Sequence, residues 1–287
     1  MQKRVTKAIF PMVGMRFLPA MRSIPNEIMA FIDRPLVHYV IDEARVVGLK
    51  ELFFVTSRGK SALENYSNIA PEPKNTLREK SKFEMLPELK STNIKSGAIA
   101  YIYLHKALGL DHAAWCARRL FADVLFAVIH PDDVIAVETP CLKKAVEVYD
   151  ETGDGMFIAM EVPEEKVSSY SMIEIKEDFE TIVSVNGLVE KPPSDEVPSS
   201  LAVIWCNILW PLIMQNLNTI KSGVGGKVQL TDEIEAELKD GHNLFGFRFS
   251  GKRFGRGTRG GFLKATTAFG LTSLDQRELM LMQQTAQ

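Results

Sequence analysis

Two short apolar runs that flank a helical pattern near the start of the chain constrain its fold most strongly. Ala8-Ile9-Phe10 and Leu52-Phe53-Phe54-Val55 have the length and the aromatic or β-branched content of buried strands. Between them, residues 36–49 place apolar side chains at helical spacing and reach Gly48, a typical residue just beyond a helix C-terminus. This order predicts a right-handed βαβ unit, and such units bind ligands at the carboxyl ends of their strands.

The rest of the chain extends this alternation of apolar runs and helical patterns. Further strands are predicted at 98–104, 125–129, 157–160, 201–210 and 244–249, a hairpin at 172–189 that turns near Glu177-Asp178, and helices at 111–119 and 141–150. We therefore predict an α/β, three-layer, Rossmann-like fold with a mixed, mostly parallel central sheet and helices on both faces. The main domain is expected to span residues 1–265, with a small β-rich excursion at about 156–200 and a C-terminal helical segment at 266–287.

Composition excludes several classes of protein. The 287 residues are 46% hydrophobic and 24% charged, with a formal net charge of -2, which gives no support for a nucleic-acid or membrane-surface partner. Cys116, Cys141 and Cys206 are widely spaced and form no CxxC pair, so we expect free thiols. No apolar run has the length of a signal peptide or a membrane span, and a cytoplasmic protein is the expectation.

The segment after the first strand has features of a phosphate-binding loop. Gly14 and Arg16 follow the strand closely, and backbone N–H groups at a glycine turn can point at an anion while arginine matches phosphate oxygens. One glycine after a strand is also typical of an ordinary βα turn, so the pattern alone leaves both interpretations open.

Acidic residues follow the fully apolar run 125–129. His130-Pro131-Asp132-Asp133 comes directly after it, at the predicted carboxyl end of a central strand. Mg²⁺ takes one or two carboxylates together with phosphate oxygens and waters, so an aspartate at this position could hold it. An aspartate that caps the following turn explains the same residues equally well.

Segments in the same order along nearly the whole chain resemble one family. They include Arg16-Phe17-Leu18-Pro19, Ile24-Pro25-Asn26-Glu27, Thr56-Ser57-Arg58-Gly59-Lys60, Leu108-Gly109-Leu110, Pro131-Asp132-Asp133, Val189-Glu190-Lys191-Pro192, Gln229-Leu230-Thr231-Asp232 and Gly251-Lys252-Arg253. This set resembles the sugar-1-phosphate nucleotidyltransferases, in their bacterial UTP–glucose-1-phosphate uridylyltransferase branch. The resemblance implies an enzyme that transfers a uridylyl group from UTP to glucose-1-phosphate and releases UDP-glucose and pyrophosphate.

The resemblance also implies roles for individual residues. The implied catalytic residues are Arg16, Asp132 and Lys191, and the implied nucleotide-binding residues are Val13, Gly14, Met15, Asn26, Leu104 and Gly109. Glu190, Lys191 and Asp133 would bind the sugar phosphate, and Asp132 would carry Mg²⁺. UTP and glucose-1-phosphate are the implied partners, in a homo-oligomer that is a dimer or a tetramer.

The chain departs from the family pattern at several of these positions. The loop around Gly14 is two residues shorter than the family loop, Asn26 replaces a lysine, and Leu104 replaces a glutamine. Gly255 and Thr258 replace two aspartates within residues 251–262, which we interpret as a flexible exposed turn, with a new phosphate patch of Arg253, Arg256 and Arg259 as the alternative. A catalytically impaired family member that serves as a regulatory or oligomerisation partner is therefore the alternative function.

Overall fold

A computed structural model describes most of the chain. The described residues are 4–13, 24–31, 34–67, 71–91, 94–105, 110–121, 124–131, 133–136, 140–210, 213, 230–255 and 259–273. The strands are β1 (Lys7–Pro11), β2 (Ala30–Phe31), β3 (Arg34–Pro35), β4 (Glu51–Ser57), β5 (Ile99–Leu104), β6 (Phe126–Ile129), β7 (Asp133–Ala136), β8 (Gly155–Glu161), β9 (Ser171–Phe179), β10 (Ile182–Glu190), β11 (Leu201–Leu209), β12 (Leu244–Arg248) and β13 (Lys252–Gly255). The α-helices are α1 (Leu36–Val46), α2 (Ser61–Ser67), α3 (Pro71–Glu79), α4 (Leu86–Ser91), α5 (Leu110–Cys116), α6 (Cys141–Thr152), α7 (Leu230–Lys239) and α8 (Arg259–Ser273).

Nine strands form one mixed sheet in the order β5-β4-β1-β6-β11-β8-β12-β10-β9. Strands β5, β4, β1 and β6 are parallel to one another, and β8 is parallel to β12. The strand β11 runs antiparallel to both of its neighbours, β6 and β8. A further pairing of Ala202 in β11 with Met172 in β9 closes the distal strands into a barrel-like ring.

The prediction of a mixed sheet is confirmed, but the sheet is not mostly parallel. Between the described strands, four of the eight neighbouring pairs are parallel and four are antiparallel. The difference arises because β11 returns between two parallel strands and because the hairpin β9–β10 lies within the same sheet. The segment 156–200 is therefore rich in strands, as predicted, and these strands continue the central sheet.

Helices cover both faces of the sheet. Alternate residues of β1 point to opposite sides: Ala8 and Phe10 belong to one apolar cluster and Ile9 to another. The first cluster contains apolar side chains of α1 and α6, and the second contains those of α5 and α7. Burial of apolar side chains against both faces is the main force that holds these layers together.

The predicted βαβ unit is confirmed, with β1 and β4 parallel and α1 between them in the chain. Gly48 has a φ of +85°, the left-handed conformation that glycine adopts most readily after a helix. The hairpin turns later than predicted, at Glu180-Thr181, because β9 continues to Phe179 and β10 begins only at Ile182. At this turn the Glu180 N–H donates to Asp178 Oδ1 at 3.0 Å, while Glu180 has a φ of +66°.

The interpretation of residues 251–262 as a flexible exposed turn is wrong for the part that the structure describes. Lys252–Gly255 forms β13, which pairs antiparallel with β7 across Asp133–Ala136. Helix α8 then begins at Arg259 and runs through the boundary that we placed at residue 265. The alternative of an arginine patch stays a prediction, since Arg256 lies outside the described residues.

Among the described residues no helix is long and apolar enough to cross a membrane.

Candidate functional site

The parallel half of the sheet brings the predicted nucleotide residues to one edge. Strands β1, β4, β5 and β6 run in the same direction, so the residues that follow their carboxyl ends lie along a common edge. Val13 follows β1 closely, Leu104 ends β5, and His130-Pro131 follows β6. The other predicted site residues of this part of the chain, Gly14, Met15, Arg16, Gly109 and Asp132, lie outside the described residues.

The start of the predicted phosphate loop is anchored to β4. The Met12 N–H donates to the Val55 carbonyl oxygen at 2.7 Å, which continues the pairing of β1 with β4 beyond the end of β1. Val13 is partly buried against the second apolar cluster. The backbone therefore leaves the sheet from a fixed position immediately before Gly14.

Asn26 lies in a short 3₁₀ helix, Asn26–Ile28, whose next residue makes a buried ion pair. The Lys60 Nζ atom is 2.7 Å from Glu27 Oε1, and the two side chains are only 5% and 6% exposed. Lys60 follows β4, so the ion pair ties the segment that carries Asn26 to the end of that strand. The resemblance included both residues, but their distance in sequence gave no indication that they touch.

Three buried polar side-chain atoms of the 3₁₀ helix and of β4 have no hydrogen-bond partner among the described residues. They are Asn26 Oδ1, Glu27 Oε2 and the Thr56 hydroxyl oxygen. A buried acceptor without a donor costs free energy, so such atoms concentrate where function demands them. Asn26 and Glu27 belong to the short 3₁₀ helix, and Thr56 lies near the carboxyl end of β4.

Leu104 is only 5% exposed and packs in the second apolar cluster. Its side chain carries no group that could form a hydrogen bond with a base. The contact with the nucleotide that the resemblance implies for this position stays a prediction.

The opposite side of the candidate site is built from the end of the hairpin. Glu190 ends β10, and Lys191 follows it with a φ of +47°, in the left-handed region that side chains other than glycine rarely adopt. Lys191 Nζ donates to Glu190 Oε1 at 2.7 Å, and the Ser171 hydroxyl donates to Glu190 Oε2. Partial burial raises the pKa of Glu190, but the hydrogen bonds from Lys191 and Ser171 outweigh it and hold the pKa below the ordinary value.

Tyr170 connects this end of the hairpin to the strand that starts at Asp133. The Lys191 N–H donates to the Tyr170 carbonyl oxygen at 3.0 Å. The Tyr170 hydroxyl accepts a hydrogen bond from Arg253 Nη1 at 2.7 Å, and the Arg253 guanidinium lies 5.1 Å from the centre of the ring. In the pairing of β13 with β7, Arg253 lies opposite Ile135 and Gly255 opposite Asp133. The structure thus brings Glu190 and Lys191 into one connected assembly with the backbone of Asp133.

Glu43 is a buried carboxyl group that the sequence did not single out. It lies in α1, and its Oε1 atom accepts a hydrogen bond from the Leu142 N–H at 3.0 Å, at the first turn of α6. Burial raises the pKa of Glu43 to about 7, against the opposing effect of the backbone hydrogen bonds. The three cysteines are free, as predicted, and burial raises the pKa of Cys206 well above its ordinary value.

The acidic residues of the candidate site fit Mg²⁺ only if phosphate oxygens supply some of its ligands. Within the described residues there is no group of three His, Cys, Asp or Glu side chains that could hold a metal. Mg²⁺ beside phosphates needs only one or two carboxylates from the protein, and Asp132 and Asp133 supply two adjacent ones after β6.

The chain is similar to proteins of one family over nearly its full length. It is 38% identical over 262 residues to a UTP--glucose-1-phosphate uridylyltransferase of Komagataeibacter xylinus, which covers 90% of this chain and 92% of the relative. It is 34% identical to the protein of that name from Bacillus subtilis (strain 168), with 97% of this chain and 96% of the relative covered. No model of a protein family matches the sequence.

Solved structures agree with these relatives. A UDP-glucose pyrophosphorylase from Acinetobacter baumannii matches 99% of this chain and 100% of its own, with a TM-score of 0.88 and 30% identity. A UTP-bound structure from the same organism has a TM-score of 0.87, and a UDP-glucose pyrophosphorylase complexed with UDP-glucose has 0.80. The fold is that of the nucleotidyltransferases. More narrowly, the chain belongs to the UTP–glucose-1-phosphate uridylyltransferase family, which confirms the resemblance seen in the sequence.

Proposed function

We propose that the chain is a Mg²⁺-dependent uridylyltransferase that converts UTP and glucose-1-phosphate into UDP-glucose and pyrophosphate. The observation that carries this proposal is the similarity over nearly the whole chain to enzymes of that name. The ion pair of Glu190 and Lys191 at the end of β10 supports it, because a sugar phosphate needs both a hydroxyl acceptor and a cation. The alternative of an impaired regulatory partner is not favoured by this similarity.

The chemistry is the attack of a glucose-1-phosphate oxygen on the α-phosphorus of UTP, with pyrophosphate as the leaving group. Such a transfer asks the protein mainly to align the two substrates and to neutralise charge on the phosphate oxygens. Arg16 and the backbone around Gly14 and Met15 would hold the triphosphate. Lys191 would bind the phosphate of the sugar, and Glu190 would accept hydrogen bonds from sugar hydroxyl groups, with Asp133 beside them.

Lys191 must change partner when the sugar phosphate binds. In the described structure its ammonium group is held by Glu190 at 2.7 Å, and Ser171 occupies the other carboxylate oxygen. The phosphate of the sugar would bind the Lys191 ammonium group more strongly than the Glu190 carboxylate does, because this carboxylate also accepts hydrogen bonds from hydroxyl groups. Binding of the substrate would therefore release one oxygen of Glu190 for the sugar.

Asp132 would hold Mg²⁺, with Asp133 next to it. The bound ion supplies positive charge that offsets the negative charge developing on the phosphate oxygens. Val13, Asn26, Leu104 and Gly109 would surround the nucleotide. Because Leu104 offers no hydrogen bond, we infer that the discrimination between bases is weaker than in relatives with glutamine there.

The finer features of the fold and the assembly belong to the same proposal. We infer a three-layer, Rossmann-like nucleotidyltransferase fold, supported by helices on both faces of the sheet. We also propose a homo-oligomer, either a dimer or a tetramer, and a cytoplasmic location. Residues 266–287 would contribute a helical segment, and α8 includes its first part, up to Ser273.

The direct test is release of pyrophosphate from UTP, glucose-1-phosphate and Mg²⁺. We expect release that requires all three components and that falls by a factor on the order of a hundred or more in Asp132→Asn, because the variant loses the carboxylate that would hold the charge-neutralising Mg²⁺. Release no greater than that of Asp132→Asn would contradict the proposal. Titration with UTP then distinguishes a chain that binds no nucleotide from one that binds it without turnover.

A further inference from the structure

Lys191 has a backbone conformation that its surroundings must maintain. Its φ of +47° is unfavourable for a residue with a side chain, so the residue keeps this conformation only where other contacts impose it. One such contact is the hydrogen bond from its N–H to the Tyr170 carbonyl oxygen at 3.0 Å. The direction in which the Lys191 side chain leaves the backbone therefore depends on where Tyr170 lies.

Tyr170 is itself held from two directions by Arg253. The hydrogen bond from Arg253 Nη1 to the hydroxyl at 2.7 Å fixes the tip of the side chain. The guanidinium, 5.1 Å from the ring centre, also attracts the face of the ring. A planar cation that satisfies both contacts restricts the ring more than either contact would alone.

Arg253 belongs to a different sheet from β9 and β10, the strands that adjoin Tyr170 and Lys191. It lies in β13, which pairs with β7 in a separate two-stranded sheet, whereas Lys191 directly follows β10 of the nine-stranded sheet. Gly255 of β13 lies opposite Asp133, the residue next to Asp132 in the chain. The contact of Arg253 with Tyr170 thus bridges the strand pair beside the aspartates and the hairpin end that carries Glu190 and Lys191.

We propose that Tyr170 and Arg253 are positioning residues that set the direction of Lys191 relative to β7, the strand that begins at Asp133. The inference rests on the proposed function, in which Lys191 binds the phosphate of the sugar and Asp132 the metal. Neither Tyr170 nor Arg253 needs to touch a substrate. Their effect is to keep the nucleophilic phosphate aligned with the α-phosphorus of UTP, since a small misplacement of an aligned group costs much of the rate.

The test uses two conservative variants and their combination. Tyr170→Phe keeps the ring and removes the hydroxyl acceptor, and Arg253→Lys keeps the charge and removes the planar guanidinium. We expect each to lower kcat/KM for glucose-1-phosphate by about tenfold, while the KM for UTP changes by less than about twofold. The double variant should be no worse than the poorer single variant, because both changes remove the same contact.

A matched control is available on the same hairpin. Arg248 of β12 donates from Nη1 and Nη2 to the Asp178 carboxylate at 2.6 and 2.7 Å, near the turn and away from Glu190. Arg248→Lys removes a comparable contact between an arginine and the hairpin. We expect it to leave kcat/KM for glucose-1-phosphate within about twofold of the wild type.

Several results would overturn the proposal. An equal loss in Arg248→Lys, or parallel losses for UTP and glucose-1-phosphate, would mean that the contact only stabilises the fold. Additive losses in the double variant would mean that the two residues act separately. If the wild type itself shows no transfer, the proposed function fails. The positioning role is then tested by calorimetric titration with glucose-1-phosphate. Equal affinities of wild type and Tyr170→Phe would reject this role.

Discussion

Single residues at the nucleotide edge are held by an ion pair that is almost fully removed from water. Glu27 and Lys60 have side chains that are 6% and 5% exposed, with 2.7 Å between Oε1 and Nζ. The other oxygen of Glu27 is buried and has no hydrogen-bond partner in the part of the chain that the structure describes. A buried pair of this kind contributes little net stability but penalises the loss of one partner, since the remaining charge cannot be solvated.

This asymmetry gives a prediction at the residue scale. Lys60→Met should lower the free energy of unfolding by about 3–5 kcal/mol, because it leaves Glu27 buried and unpaired. Adding Glu27→Leu to this variant should recover part of the loss, because no buried charge then remains. Urea unfolding of the wild type, both single variants and the double variant measures the coupling, and strictly additive changes would count against it.

At the scale of elements, the start of helix α6 depends on a side chain from helix α1. Its N-cap residue, Pro140, offers no side-chain acceptor, and Glu43 of α1 accepts the Leu142 N–H instead. This bond fixes the helix that follows β7, the strand that begins at Asp133. Glu43 therefore fixes the first turn of α6 against α1.

The pKa of Glu43 makes this contact sensitive to pH. In the folded chain its pKa is raised from 4.5 to about 7, so the folded state binds the proton more tightly than the unfolded state does. The contribution of this group to stability is greatest below pH 4.5 and falls as the pH rises to about 7, above which it is constant.

Glu43→Gln should remove this dependence, because glutamine keeps the acceptor oxygen without a titrating proton. Between about pH 4.5 and pH 8, the wild type should lose about 3 kcal/mol of unfolding free energy relative to Glu43→Gln. Urea unfolding at intervals across this range gives the comparison. A difference between the two proteins that stays constant with pH would show that Glu43 does not titrate there.

At the scale of the whole molecule, the two sides of the proposed site lie on different parts of one sheet. The parallel strands β5, β4, β1 and β6 end at the edge proposed for the nucleotide, and the hairpin β9–β10 ends at Glu190, next to Lys191, where the sugar phosphate is proposed to bind. The strand β11 lies between these parts and is antiparallel to both β6 and β8. We therefore expect the two substrates to depend on separate groups of residues.

Thermal unfolding can test that separation. A ligand that binds only the folded state stabilises it by about 2.7 kcal/mol at a hundred times its Kd, which corresponds to a shift in Tm of several degrees. Lys191→Ala should reduce the shift caused by glucose-1-phosphate and preserve the shift caused by UTP with Mg²⁺. Equal reductions of both shifts would contradict the division of the site into two sides.

The sequence by itself determined the features that local pattern encodes. The βαβ unit and the strands of the sheet follow from periodicity and from turn residues such as Gly48, because these depend on near neighbours. The family was also available from the sequence, since its motifs keep their order along the chain.

Only the tertiary structure decided the arrangement around the site. The position of β11 in the sheet and the pairing of β13 with β7 join segments that are distant in the chain, and nothing in their local patterns specifies the partner. The contacts Glu27–Lys60, Tyr170–Arg253 and Glu43–Leu142 likewise join residues 33, 83 and 99 positions apart. Such contacts result from the packing of whole elements, so they exist only once the chain has folded.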